Sequence, residues 1–140
     1  MENGMDISVY NFVIAGEWIR NLTVKSGITY QLTAFASDRV IYAFVVDGLP
    51  KYIGICEKDT TTLKDRMSRY QNQQGGNAQQ GLSTNKRISI EIKQILDQGK
   101  KVEIYALKPT TKQVFVDLQV DLVKGLENPL IAKLKPTWNR

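Results

Sequence analysis

The chain has 140 residues, 42% hydrophobic and 24% charged, which suits one domain with a proper core and is too little for two ordinary ones. Its 19 Lys and Arg against 14 Asp and Glu leave a net charge of +5, an excess compatible with a polyanionic partner but shared by many proteins that have none. The absence of His excludes His-based triads, His general bases and most zinc sites, while a single cysteine, Cys56, excludes an internal disulfide and a cysteine zinc cage.

Any proton transfer would therefore fall to Tyr, Lys, Asp or Glu. No apolar run approaches membrane-spanning length, and the N-terminus lacks the basic-then-apolar order of a signal peptide. A reducing, cytoplasmic setting with no membrane partner is the expectation.

In chain order, Val9, Tyr10, Val13, Ile14 and Trp18 recur at helical spacing behind a capping Asp6, which predicts an amphipathic helix over 6–20 that Gly16 weakens. Ile28, Tyr30 and Leu32 alternate with polar neighbours and predict a strand. The run 40–46 is apolar on both faces, as in a strand covered on both sides. Asp47-Gly48-Leu49-Pro50 reads as a turn, and a second strand over 51–56 returns antiparallel beside the first. That hairpin brings Tyr42 and Tyr52 to one place.

A helix over 60–70 follows, with Thr60, Thr61 and Thr62 as candidate caps and Leu63, Met67 and Tyr70 as its inward stripe. Arg66 lies at the edge of that stripe beside Tyr70, and Arg69 projects toward solvent. Residues 71–81 read as a mobile Gln-, Gly- and Asn-rich loop. A second helix over 86–98 presents Ile88, Ile92, Ile95 and Leu96 to the core, is capped by Thr84 or Asn85, and stops at Gly99. Lys86 and Arg87 in its first turn oppose the helix dipole; they are either tolerated exposed charges or cations awaiting phosphates. Val102, Ile104 and Ala106 predict a third strand, 113–124 fits strand and helix equally, and a last helix over 126–134 ends before Pro136.

These elements predict an α/β (α+β) fold: a small central three-stranded, mainly antiparallel sheet flanked by helices, with an N-terminal helix and strand added. Within it, Glu127 shares a helix face with Leu130, Ile131 and Leu134. A carboxylate turned toward a core needs a cation or metal beside it, so it is ion-paired with Arg66 or a Lys, or a metal ligand, unless it simply escapes to solvent at the helix start. Tyr42 and Tyr52 also suit an ordinary sheet. Cys56 reads as a small core residue, since no His is present to activate it.

Val40-Ile41-Tyr42, Tyr52-Ile53-Gly54 and Arg66 resemble the GIY-YIG nuclease module in order and approximate spacing. Gly125-Leu126-Glu127, Leu130-Ile131 and Pro136-Thr137-Trp138-Asn139 resemble the metal-binding helix and closing Asn of that family. The match spans about Arg39 to Asn139, so that 39–140 forms the nuclease-like core and 1–38 an extension packed on it, one domain in all. Two departures stand out: Val rather than Gly opens the first motif, and the stretches after Gly54 and after Gln71 are enlarged.

The resemblance implies metal-dependent hydrolysis of phosphodiester bonds in nucleic acid, most often DNA, with RNA left open. It implies Glu127 as the ligand of Mg²⁺ or Mn²⁺, Arg66 as a phosphate clamp, and Tyr42 as general base with its pKa lowered by the metal, Arg66 and Lys51. Tyr52 and Tyr70 would hold the water or a phosphate oxygen, Gly54 would permit close backbone approach, and Asn139 would hydrogen-bond in support. Arg69, Lys86 and Arg87 would face the nucleic acid. A restriction-like enzyme is the first expectation, with a dimer open for a symmetric target; the alternative is a non-catalytic nucleic-acid-binding module that kept the fold.

Overall fold

The computed structural model describes residues 6–73, 83–110 and 113–140. The doubly apolar run becomes strand β3 (Ile41–Val46), buried at every residue because layers cover both of its faces. It pairs antiparallel with β4 (Leu49–Ile55) on one side and with β5 (Val102–Leu107) on the other. Two further strands, β1 (Val13–Arg20) and β2 (Ile28–Leu32), extend the sheet past β5 to the order β2-β1-β5-β3-β4.

The sheet is therefore five-stranded, not three-stranded, though the fold stays α+β. The discrepancy originates in residues 6–20. Only Ile7–Tyr10 are helical, as a short 3-10 turn capped by Asp6, and the rest is β1. A β-bulge between Ile14 and Gly16 shifts the register against β5, so Ala15 and Gly16 are both buried and strict alternation is lost. The resulting apolar spacing imitates a helix. Gly16 itself marks the strand, since a Cβ there would run into the backbone of Gln31 and Leu32 on β2.

Helix α1 (Leu63–Asn72) starts at a capping box in which Thr62 and Asp65 satisfy each other's backbone N–H groups. Helix α2 (Thr84–Asp97) is capped by Ser83 and followed by Gly99 at φ 80°. The ambiguous stretch divides into a hairpin of β6 (Gln113–Phe115) and β7 (Leu118–Val120), then α3 (Leu122–Leu134), which begins earlier than 126 because Asp121 caps it. Most of the expected loop 71–81 lies outside the described residues; Gln71 and Asn72 close α1.

Two cores result. Trp18, Phe44, Met67, Tyr70, Ile88 and Ile92 pack between the sheet and the α1–α2 pair. Ile7, Phe12, Ile41, Val45, Val123 and Leu130 pack on the opposite face, beneath α3. The C-terminal residues close the free edge of β4: the Asn139 amide accepts from Ile53 N and donates to Ile53 O, each at 2.9 Å. A side chain thereby takes the place of a sixth strand.

Candidate active site

Register places the site. Tyr42 pairs with Gly54 and Phe44 with Tyr52 across β3 and β4, so both tyrosines face α1. There Arg66 and Tyr70, one helical turn apart, meet them. The Tyr42 and Tyr70 hydroxyls are 2.7 Å apart, and Tyr70 donates to Tyr52 at 3.5 Å. Arg66 donates through Nε to the Tyr42 hydroxyl at 3.0 Å and through Nη2 to that of Tyr70 at 3.2 Å. Its Cζ lies 5.9 Å and 5.5 Å from the same two ring centroids, within cation–π range.

Gly54 makes this possible. A Cβ there would stand 2.5 Å from Tyr42 Cζ and 2.6 Å from its hydroxyl oxygen, so the phenol lies directly on the bare backbone of β4.

Tyr42 and Tyr70 are fully buried and Tyr52 is 7% exposed. Burial pushes all three phenols above the ordinary tyrosine value, with the Arg66 charge only partly opposing it for Tyr42. In the chain without metal, desolvation outweighs the one guanidinium and holds the Tyr42 pKa up. For Arg66, burial works against the charged form, but the three tyrosine hydroxyls outweigh it and raise its pKa.

Beside this network lies a cavity of about 180 Å³ lined by Tyr52, Gly54, Ile55, Glu57, Arg66 and Glu127. Glu127 comes from α3, half-buried, and has no salt bridge among the described residues; the expected pairing with Arg66 is not made. Burial, then the like charge of Glu57, raise its pKa, and Arg66 lowers it. A larger cavity, about 450 Å³ near Tyr10, Leu107 and Leu122, gathers no such set of groups.

The donor set fits a divalent cation of the magnesium kind. Among the described residues no three His, Cys, Asp or Glu side chains converge, so an all-protein cage is not formed. Mg²⁺ suits the arrangement that is present, in which few carboxylates leave room for water and phosphate oxygens. A half-buried carboxylate raised by desolvation and by a like charge is also one that a cation relieves.

Outside the cavity, Asn139 supports the strand carrying Tyr52, and the Lys51 carbonyl accepts from Trp138 N at 2.8 Å. Arg87 donates to the Trp138 carbonyl at 2.8 Å, which commits one edge of its guanidinium to the chain itself. Lys86 is exposed in the first turn of α2, and Arg69 lies in the last turn of α1. Sequence reasoning missed Glu57. The available signal was its place just beyond β4, at the strand end where Gly54 opens the backbone.

No protein-family model matches the sequence, and no curated protein matches it significantly. Solved structures do share its architecture. A glutamate-to-alanine mutant of bacteriophage T4 EndoII superposes with a TM-score of 0.66 at 24% identity, covering 99% of this chain and 100% of that one. Restriction endonuclease HPY188I in complex with product DNA superposes with a TM-score of 0.54 at 17% identity, over 93% and 79% of the two chains. The fold is that of solved endonucleases. At such identities the likeness establishes the fold and nothing finer.

Proposed function

We propose that the chain is a metal-dependent endonuclease of the GIY-YIG type that hydrolyses phosphodiester bonds in DNA. The observation that carries this reading is the convergence of Tyr52 from β4, Arg66 from α1 and Glu127 from α3 on one polar cavity. The likeness in fold to a phage endonuclease and to a restriction endonuclease solved with product DNA supports it.

Glu127 would hold Mg²⁺ or Mn²⁺, which would supply charge stabilisation to the phosphate and the leaving oxygen. Arg66 spends Nε and one Nη2 hydrogen on Tyr42 and Tyr70, and its remaining donors clamp a non-bridging phosphate oxygen. The guanidinium is thereby oriented before substrate arrives, which is how an electrostatic clamp gains its effect.

Tyr52 is the phenol in the cavity wall, and its hydroxyl orients the attacking water. Tyr42 is the base, reached through the chain Tyr52, Tyr70, Tyr42. In the resting arrangement Tyr70 donates to Tyr52; the hydroxyls first turn so that Tyr52 donates to Tyr70 and Tyr70 to a Tyr42 phenolate. A proton leaving the water then enters at Tyr52 and is passed along to Tyr42. That phenolate faces Arg66 Nε at 3.0 Å, so the charge rests where a cation can hold it. Arg69 and Lys86 contact flanking phosphates, and Lys51 and Arg87 support the strand and tail beside the cavity. A compact restriction-like enzyme fits this economy of elements.

Supercoiled plasmid incubated with Mg²⁺ or Mn²⁺ tests the reading. Nicked or linear product from the wild type, lost in Glu127→Ala and Arg66→Ala, is expected; undiminished cleavage by both variants overturns it. A parallel arm with RNA of the same sequence separates the two nucleic acids.

A further inference from the structure

The sequence pattern assigns the cation one carboxylate, and the cavity contains two. Glu57 lies just past the end of β4 and lines the same cavity as Glu127, Arg66, Tyr52 and Gly54. Asp38, Asp47, Asp97 and Asp121 each find a cationic partner. Glu57 and Glu127, like Glu17, Glu91 and Glu103, have no salt bridge among the described residues; what sets them apart is that they line one cavity together with Arg66.

One side chain links the segments that carry them. Arg39 donates through Nε to the Cys56 carbonyl at 2.9 Å and through Nη2 to the Glu57 carbonyl at 2.7 Å. The same guanidinium meets both Asp121 oxygens, at 2.9 Å and 2.8 Å, in a bidentate pair. Asp121 in turn accepts from Val123 N and Lys124 N and so caps α3, the helix that carries Glu127. One guanidinium therefore ties the backbone of Glu57 to the start of the Glu127 helix. Two like charges held in one cavity repel unless a cation lies between them.

Resting on the metal-dependent reading above, we propose that Glu57 is a second carboxylate for the divalent cation, facing Glu127 across the cavity, with Arg39 as the positioning residue for both. Mg²⁺ is commonly held by one or two carboxylates, with water and phosphate oxygens completing its shell. The second carboxylate strengthens cation binding before nucleic acid arrives. Beyond the cavity Glu57 is exposed, so its replacement leaves the fold intact.

The test is Mn²⁺ binding by the full chain without nucleic acid, read from the loss of the free-ion electron paramagnetic resonance signal. Melting temperatures without metal are recorded in parallel. Glu57→Gln is expected to weaken Mn²⁺ binding about tenfold at unchanged melting temperature, and Glu57→Asp to restore part of the loss. If Glu57→Gln binds Mn²⁺ like the wild type while Glu127→Gln does not, the second carboxylate is overturned and the metal reading survives. If the wild type binds no Mn²⁺, or both Gln variants bind like it, both are overturned.

Discussion

On the tyrosine side of the cavity every polar group has a partner: three phenols and a guanidinium hydrogen-bond to one another inside the core. On the carboxylate side, Glu127 and Glu57 sit at the cavity edge without an ion pair among the described residues. The first arrangement contributes to folding as well as chemistry, because burying phenols and a guanidinium is costly unless each is satisfied. The second detracts from folding, since the Glu127 carboxylate is held where water is partly excluded. Residues that cost stability mark the chemistry more clearly than residues that supply it.

Substitutions on the two sides should therefore separate activity from stability. Glu127→Gln is expected to lower plasmid cleavage by about a thousandfold or more, while the metal-free melting temperature stays level or rises. The sign follows from linkage. A carboxyl whose folded pKa is raised stabilises the fold most at pH below its unfolded value, and loses that contribution as pH rises through the folded value. At neutral pH the charged form is thus the costly one, and the neutral amide removes the cost. A clear fall in melting temperature would contradict this contrast.

Arg66→Ala should lower cleavage by roughly a hundred- to a thousandfold and also destabilise the fold by about 2–3 kcal/mol in chemical denaturation, since Tyr42 and Tyr70 lose their donor. Gly54→Ala inserts a methyl against the Tyr42 phenol and should cost about 1–3 kcal/mol, with cleavage falling as the ring is displaced. Asn139→Ala removes both hydrogen bonds to Ile53 and should cost about 1–2 kcal/mol, with a smaller effect on rate.

The pH profile gives a subtler readout. Burial raises the Tyr42 pKa, so its ionised fraction grows about tenfold per pH unit through the neutral range. Cleavage with saturating metal should climb with that slope between about pH 7 and about pH 9, and Tyr42→Phe should abolish the climb. A plateau starting near neutrality would assign the proton to another group.

Much of this was readable in the residues. The double-sided run of β3, the turn after it and the Thr-capped α1 follow from local pattern, and they bring Tyr42, Tyr52, Arg66 and Tyr70 together. Helical spacing placed Glu127 on the α3 face toward the site. Three features stayed hidden, each for a physical reason. The bulge at Ile14 and Gly16 scrambled the period of β1, so two strands were left out of the sheet. Desolvation depends on what surrounds a phenol, so the burial that raises the Tyr42 pKa in the metal-free chain could not be had from its neighbours in sequence. Glu57 and Glu127 line one cavity although they are distant along the chain, and Arg39 joins their two segments, an arrangement that no local pattern announces.

The central claim, that the unpartnered carboxylate is kept for chemistry and the tyrosine–arginine network for both chemistry and folding, is tested most directly by one paired measurement on Glu127→Gln. Plasmid cleavage with Mg²⁺ and the metal-free melting temperature are taken on the same preparation. Cleavage lost at a level or raised melting temperature is the predicted result. Cleavage retained, or lost together with a fall in melting temperature, would contradict it.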